Sequence, residues 1–233
     1  MSTVLDAKLL SIFSKACYCR DTSDIPGLSE SESKNMWLSE YYHQLQVLPT
    51  EWEIITIDGC NKNGVYSKYN GFQGVVYGKK GHDGNYEEIV IAYRGTDSIM
   101  DKMFADVQIF LNNFFNSYLS QASTASILYD EVRKIYGNVP ITLVGHSLGG
   151  ALAQYVASSH KNLKAVTFNA PGIGKKIGAY TDNIINYVNM NDVVGSFGKH
   201  AGEVRYYLPD GMYNGEYKPH SDYIFQDFEK YIK

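Results

Sequence analysis

The segment ITLVGHSLGGALAQYVA, residues 141–157, constrains the fold more than any other stretch of the sequence. Apolar, strand-forming residues run into Gly145-His146-Ser147-Leu148-Gly149, and an alanine-rich segment of helical character follows at once. A strand that turns directly into a helix needs a tight bend, and glycines on both sides of the serine leave room for it. The bend pushes the serine side chain out of the sheet. The segment therefore predicts a strand–turn–helix unit that presents a serine hydroxyl.

The rest of the chain predicts the sheet into which this unit fits. Buried-strand patterns alternate with helical ones after residue 98, in the runs VPITLVG, LKAVTFNAPG, NIINYVNMNDVV and VRYYLPDG. Such alternation is typical of parallel strands covered on both faces. Earlier, Asn-Gly and Asp-Gly pairs separate the strand-like runs WEIITIDG, GFQGVVYGKK and EEIVIAYRG, which predicts hairpins. We expect an α/β fold with a mostly parallel central sheet, helices on both faces and an antiparallel N-terminal section.

Length, charge and cysteine spacing limit the number of domains and the kinds of partner that we expect. The 233 residues suit a single domain over residues 1–233. The net charge is −4, from 21 basic and 25 acidic residues, so we expect no nucleic-acid partner. Cys17, Cys19 and Cys60 have the spacing of neither a disulfide framework nor a zinc site, and no metal is expected.

The sequence contains no run of 18 apolar residues, so no transmembrane segment is predicted. Its first residues lack a positively charged start and follow a helical period, which favours a structural helix over a signal peptide. We therefore expect a cytoplasmic protein, or one exported without a cleaved N-terminal signal.

Ser147 is the candidate nucleophile, because its context is the one in which a Gly-x-Ser-x-Gly motif carries chemistry. A serine hydroxyl is a poor nucleophile on its own. It needs a base to take its proton, a group to orient that base, and donors for the oxyanion. The helix that begins after Ser147 directs backbone N–H groups toward the place where negative charge develops. The N–H of Leu148, the next residue, is one expected oxyanion donor.

Five blocks in order and spacing resemble α/β-hydrolases, and more narrowly the class 3 lipases, the fungal-lipase-like group. They are IAYRGT (91–96), ITLVGHSLGGALAQ (141–154), VTFNAPG (166–172), NYVNMNDVV (186–194) and HSDYIF (220–225). The resemblance runs from about residue 5 to the C-terminus. It implies an α/β-hydrolase fold, carboxylic ester hydrolase activity and a catalytic triad in the chain order Ser, Asp, His.

Asp192 and His220 are the candidates for the other two triad positions. Asp192 follows a strand pattern and matches the family block, whereas Asp182 precedes that strand and would lie at the wrong end of the sheet. His220 lies in the loop after the last predicted strand, where a triad histidine belongs, and His200 is the alternative. His146, inside the turn, is expected to be a packing or hydrogen-bonding residue.

These residues predict acyl transfer without a metal or organic cofactor. His220 takes the proton of Ser147 as it attacks an ester carbonyl, Asp192 holds the imidazole, and water then releases the acyl-enzyme. The resemblance places the second oxyanion donor at Thr96, after the strand ending in IAYRGT. Loss of one such donor costs roughly 3 kcal/mol of transition-state stabilisation.

A lid is expected over residues 97–106, because class 3 lipases carry a short helical lid at this place. Its apolar side chains fall on one side of a helix, and we count them as candidate substrate-binding residues: Ile99, Met100, Met103 and Phe104. A fixed helix with a buried apolar face is the alternative. Pro171 and Ile173, on the loop after the next strand, are expected to shape the pocket.

The expected substrate is an acyl lipid, as for a triacylglycerol lipase or a phospholipase A. A transient contact with a membrane surface is compatible with that function. Two alternatives stay open: an esterase for soluble or cell-wall aromatic esters, and a catalytically silent binding scaffold. The full set of Ser147, Asp192, His220 and Thr96 argues against the silent scaffold, because binding alone does not need all four.

Overall fold

A central sheet of eight strands organises the part of the chain that the structure describes. The structure is a computed structural model, and it describes residues 6–17, 51–61, 64–95, 107–208 and 220, with the backbone alone for residues 107–115. Numbered along the chain, the strands lie in the order 1-3-4-5-6-7-8, and the second strand also pairs with the third. The sheet is antiparallel at its N-terminal side and parallel from the fourth strand onward, as the sequence predicts.

The antiparallel section contains β1 (Trp52–Ile55), β2 (Val65–Ser67), β3 (Gln73–Lys80) and β4 (Tyr86–Tyr93). Strands β1 and β2 both pair with β3, which in turn pairs with β4. The hairpin predicted between GFQGVVYGKK and EEIVIAYRG is confirmed, with Asp83-Gly84 in its turn. Strand β1 also pairs antiparallel with β3, but β2 lies between them in the chain, so the two do not form a direct hairpin. Strand β2 is not predicted by the sequence, because three residues are too few to show an alternating pattern.

The parallel section contains β5 (Ile141–His146), β6 (Lys164–Phe168), β7 (Ile184–Asn189) and β8 (Glu203–Tyr207). Each strand pairs with the previous one in chain order, starting from β4. All residues of β5 are buried, as expected for a strand covered on both faces. The carboxyl ends of five strands consequently meet at one edge of the sheet, where sites form in such folds.

The described residues contain three α-helices: α1 (Ala7–Ala16), α2 (Val107–Tyr136) and α3 (Leu148–Ser159). A short 3-10 helix follows β6 at Gly174–Lys176. The sequence patterns divide residues 98–137 into an apolar segment and a separate helix. The structure instead has a single helix of 30 residues over α2. This helix ends at Tyr136. Gly137 follows with a positive φ of 59°, and its N–H caps the helix by bonding the carbonyl of Arg133 at 2.9 Å.

The runs MWLSEYYHQLQ (36–46) and DYIFQDFEKYIK (222–233) also predict helices, and both lie outside the described residues. No helix within the described ranges is both long and apolar enough to cross a membrane.

Helices cover both faces of the sheet, as predicted, and each face has its own core. The side chains of β4 alternate between the two cores. Ile89 and Ile91 belong to the core that contains α2 and α3, whereas Val90 and Ala92 belong to the core that contains α1. On the α1 side, the ring of Phe13 stacks on Tyr77 with the centroids 4.6 Å apart. The strands whose carboxyl ends form the edge of the sheet are therefore packed on both faces.

Candidate active site

Ser147 occupies a strained turn between β5 and α3. Its φ of 54° and ψ of −125° lie in a region that residues with a side chain rarely adopt. Its N–H bonds the carbonyl of Phe168 at 3.2 Å, and its carbonyl accepts from Ala151 at 3.1 Å. The turn is thus tied to β6 on one side and to α3 on the other. This is the strand–turn–helix unit predicted from the sequence, and we call residues 145–149 the elbow.

The glycines of the elbow are required by space. A Cβ on Gly145 would lie 2.3 Å from the backbone carbon of Gly149. A Cβ on Gly149 would lie 2.0 Å from the carbonyl oxygen of Tyr93, at the end of β4. Both distances are far below van der Waals contact, and both partners are backbone atoms that cannot rotate away. The missing side chains therefore let α3 begin against the end of the neighbouring strand.

Asp192 and His220 form a buried hydrogen-bonded pair. Nδ1 of His220 lies 2.9 Å from Oδ2 of Asp192, and the two residues are 5% and 2% exposed. A carboxylate accepts at this position, so Nδ1 carries the proton and Nε2 is the ring nitrogen left to act as a base. The sequence prediction that these two residues act together is compatible with this geometry.

Backbone amides hold the carboxylate of Asp192 in place. Oδ1 accepts from the N–H of Val194 at 3.0 Å, and Oδ2 accepts from the N–H of Gly195 at 2.9 Å. A Cβ on Gly195 would lie 2.6 Å from Oδ2, so this position also needs a glycine. The turn that follows β7 therefore fixes the carboxylate independently of its bond to the imidazole.

His220 lies beside the elbow. Its ring is 4.6 Å, centroid to centroid, from the ring of His146, the residue that precedes Ser147. Ser147 is itself 4% exposed. The carboxyl end of β5 therefore brings the elbow, and the carboxyl end of β7 brings the acid, to the same histidine.

The alternative residues considered from sequence lie elsewhere. His200 is half-buried, and its Nε2 bonds the carbonyl of Ala170 at 2.8 Å. Asp182 is exposed and precedes β7, at the opposite end of that strand from Asp192. Of the two candidate histidines, His220 is thus the one that is hydrogen-bonded to Asp192.

Of the two expected oxyanion donors, one lies within the described residues. The N–H of Leu148 is in the first turn of α3, where helix N–H groups have no intrahelical acceptor. Thr96 lies outside the described residues. Strand β4 ends at Tyr93, which is in register with Gly145 of β5. The chain that leads to Thr96 therefore leaves the sheet directly beside the elbow.

The predicted pocket residues are described only in part. The lid segment 97–106, with Ile99, Met100, Met103 and Phe104, lies outside the described residues. Ile173 is buried in the core that contains α3.

The loop after β6 is tied to its surroundings by one glutamine. Gln154 of α3 donates from Nε2 to the carbonyl of Pro171 at 3.0 Å, and its Oε1 accepts from the N–H of Ala201 at 3.0 Å. Gln154 is fully buried, so it fixes the loop after β6 against the segment before β8.

Sequence reasoning did not single out Asn169, which touches the candidate histidine. Asn169 follows β6, has a φ of 47° and donates from Nδ2 to the carbonyl of His220 at 3.0 Å. Its position could have indicated a role, because the FNAPG run follows a buried strand, and polar side chains at the carboxyl end of such a strand lie at the site. His146 is a buried hydrogen-bonding residue, as expected, and its Nε2 lies 2.6 Å from the same carbonyl.

Two histidines near the site favour the neutral form. Burial, with further contributions from His220 and Lys15, holds the pKa of His146 well below its ordinary value of 6.5. Burial also lowers the pKa of His200, although its bonds to the backbone of Ala170 and Gly195 act in the opposite direction. Both rings therefore resist protonation in the folded protein.

Comparisons with known proteins support the family suggested by the sequence. A family model described as the Tle-like phospholipase domain matches residues 12–193. This span includes the elbow and Asp192 and ends before His220. No curated protein matches the chain in sequence.

Several solved structures share the fold. The triacylglyceride lipase of Rhizomucor miehei matches with a TM-score of 0.55 at 20% identity, covering 87% of this chain and 79% of the lipase. A lipase from Rhizopus microsporus var. chinensis has a TM-score of 0.55 at 17% identity, with coverages of 90% and 77%. Lip2 lipase from Yarrowia lipolytica has a TM-score of 0.52 at 16% identity, with coverages of 85% and 76%. At these identities the likeness establishes the fold, that of α/β-hydrolases of the fungal lipase type.

Replacing Gly149 with alanine tests the packing of the elbow. The added methyl group meets the backbone of Tyr93 at 2.0 Å, so Gly149→Ala is expected to lower the free energy of unfolding by about 3 kcal/mol or more. Gly84→Ala is the control, because Gly84 has a positive φ but open space around it, and its expected loss is about 1 kcal/mol. Urea denaturation measures both, and equal losses would contradict the steric explanation.

Lowering the pH below about 6.5 is expected to destabilise the protein through His146 and His200. Their pKa values are lower in the folded chain than in the unfolded one, so below pH 6.5 the unfolded chain binds more protons. Each group can cost at most about 1.4 kcal/mol per pH unit. Urea denaturation at pH 7.5 and 5.5 should therefore show a smaller loss for His200→Gln than for the wild type. The exposed His82 supplies the control His82→Gln, and an unchanged loss in His200→Gln would refute this source of pH dependence.

Proposed function

The chain belongs to the Tle-like phospholipase family, and we propose that it hydrolyses carboxylic esters of acyl lipids with Ser147 as the nucleophile. The observation that carries this proposal is the buried Asp192–His220 pair, with its 2.9 Å bond, beside a strained serine elbow. Such an arrangement supplies a nucleophile, a base and an orienting acid, the parts that acyl transfer from an ester requires.

In the first half-reaction an ester loses its alcohol. The hydroxyl oxygen of Ser147 forms a bond to the ester carbonyl carbon while Nε2 of His220 takes the hydroxyl proton. Asp192 stabilises the resulting imidazolium through its bond to Nδ1. When the tetrahedral intermediate collapses, the bond to the alcohol oxygen breaks and His220 passes its proton to that oxygen. The alcohol leaves, and the acyl group stays on Ser147.

In the second half-reaction water replaces the alcohol. His220 takes a proton from a water molecule, whose oxygen forms a bond to the acyl carbon. The bond to the Ser147 oxygen then breaks, the serine recovers its proton from His220, and the fatty acid leaves. The same three residues serve both half-reactions, and no step needs a metal or an organic cofactor.

The oxyanion of both intermediates is assigned to two donors. One is the N–H of Leu148, at the start of α3, where the helix dipole also favours negative charge. The other is Thr96, on the chain that leaves β4 beside the elbow. The contact between Gly149 and Tyr93 supports this pairing, because it brings the start of α3 against the end of β4.

The substrate we assign is a phospholipid with carboxylic ester-linked acyl chains. The family description names a phospholipase domain, whereas the Rhizomucor miehei relative in fold is a triacylglyceride lipase. Residues 97–106 are assigned as a lid whose apolar side chains meet the acyl chains. Pro171 and Ile173, on the loop after β6, are assigned to the wall of the acyl pocket.

Contact with a lipid surface is assigned to the loop that carries Asp192, residues 190–198, here called the acid loop. Three apolar side chains on it are exposed: Met190 (52%), Val193 (68%) and Phe197 (38%). The net charge of −4 gives no general attraction to anionic lipid, so an apolar contact is the better explanation for surface binding. The acid loop follows β7 at the edge of the sheet where the triad lies, so it can bring the site to the surface.

The proposed activity is tested with vesicles of phosphatidylcholine and emulsions of triacylglycerol. We expect release of fatty acid from the phospholipid, and a loss of about 10⁴-fold or more in kcat for Ser147→Ala. Hydrolysis of triacylglycerol alone would contradict the phospholipid assignment but leave the triad intact. Hydrolysis of only short soluble or aromatic esters would favour the esterase alternative. Equal rates for the wild type and Ser147→Ala would refute the nucleophile.

Replacing two apolar residues of the acid loop tests the membrane contact. The variant Met190→Gln/Val193→Gln should bind phosphatidylcholine vesicles several-fold more weakly, because two exposed apolar side chains no longer enter the lipid. Vesicle sedimentation measures binding, and hydrolysis of a soluble butyrate ester should change little. Ile127→Gln is the control, since Ile127 is an exposed apolar residue of α2. An equal effect of the control and the double variant would rule out the acid loop as the contact.

A further inference from the structure

The backbone carbonyl of His220 accepts hydrogen bonds from two side chains that the triad does not include. Nε2 of His146 lies 2.6 Å from this oxygen, and Nδ2 of Asn169 lies 3.0 Å from it. The two side chains belong to buried residues, 3% and 0% exposed. A carbonyl oxygen has two lone pairs, so these two donors saturate it.

The orientation of the Asn169 amide is fixed by its other end. Oδ1 accepts from the N–H of Asn189 at 2.9 Å and from the hydroxyl of Tyr207 at 3.1 Å. An N–H can only donate, so the oxygen of the amide must face Asn189. Nδ2 must then face His220, which makes Asn169 a donor to its carbonyl.

The proton on the ring of His146 is fixed by a similar argument. A carbonyl oxygen can only accept, so the ring nitrogen next to it, Nε2, must carry hydrogen. Burial lowers the pKa of His146, which favours a neutral ring. A neutral donor bonds the carbonyl without placing a second positive charge beside the imidazolium that His220 becomes during the reaction.

We propose that His146 and Asn169 are positioning residues that clamp the backbone of His220, so that its imidazole stays aligned between Asp192 and Ser147. The inference rests on the proposed function, in which His220 is the base. The clamp and Asp192 together bring three neighbouring strands to one residue, His220. His146 ends β5, Asn169 follows β6, and Asp192 follows β7.

The clamp supplies what the Asp192 bond alone does not. A single bond at Nδ1 lets the ring and its backbone turn about that contact, whereas two bonds at the carbonyl hold the backbone from which the ring extends. Misplacement of a reacting group by about 1 Å can cost on the order of 100-fold in rate. The two side chains therefore act on catalysis through the position of His220, without touching the substrate.

The test compares three variants on a soluble butyrate ester, with thermal unfolding to check that each is folded. His146→Leu removes the donor at similar size, Asn169→Ser leaves a hydroxyl that is too short to reach the carbonyl, and His146→Gln retains an N–H on a side chain of similar reach. We expect His146→Leu and Asn169→Ser to lower kcat by roughly 10- to 100-fold with KM nearly unchanged. His146→Gln should keep kcat within several-fold of the wild type.

Rescue by glutamine is the result that a merely structural role of His146 would not give. Wild-type kcat in His146→Leu would overturn the clamp, and so would equal losses in the leucine and glutamine variants. Failure of the proposed function gives a different result, because the wild type and Ser147→Ala would then have equal rates.

A second readout does not depend on activity. Proton NMR detects the hydrogen-bonded Nδ1–H of His220 far downfield, and its absence in His220→Ala assigns it. The signal should persist in the wild type and His146→Gln and broaden or disappear in His146→Leu. An unchanged signal in His146→Leu would overturn the clamp whether or not the wild type hydrolyses esters.

Discussion

The close approach of α3 to the end of β4 is the constraint on which the site depends. At Gly149 a Cβ would lie 2.0 Å from the carbonyl oxygen of Tyr93, so only hydrogen fits between helix and strand. This contact sets where α3 begins, and with it the strained backbone of Ser147 at a φ of 54°. The strain is maintained because β5 is buried on both faces and α3 is packed against the sheet.

The parallel sheet explains how residues far apart in the chain meet. Strands β5, β6 and β7 are neighbours in the sheet and run in the same direction, so their carboxyl ends lie side by side. Each contributes a polar group that reaches His220: His146, Asn169 and Asp192. Because these groups lie within a closely packed framework, the histidine can be held without a metal or a disulfide.

The sequence predicts the parts of this structure that have a local signature. The elbow at Ser147 was readable from its glycines, and the parallel strands from their continuous apolar runs. Strand β2 was missed because three residues carry no period, and the length of α2 because its apolar residues do not form one simple stripe. Asn169 could not be assigned a role, since its bond spans 51 positions in the chain and depends on the folded sheet. The predicted lid and Thr96 lie outside the described residues.

Labelling of the purified protein with a fluorophosphonate probe, followed by peptide mass spectrometry, tests the central claim most directly. The probe reacts with a serine only when a base activates it, so we expect a single adduct on Ser147 in the wild type. Asp192→Asn should slow labelling by several orders of magnitude, because the imidazole then loses its orienting carboxylate. An unlabelled Ser147, or equal labelling rates in the wild type and Asp192→Asn, would contradict a catalytic triad at the elbow.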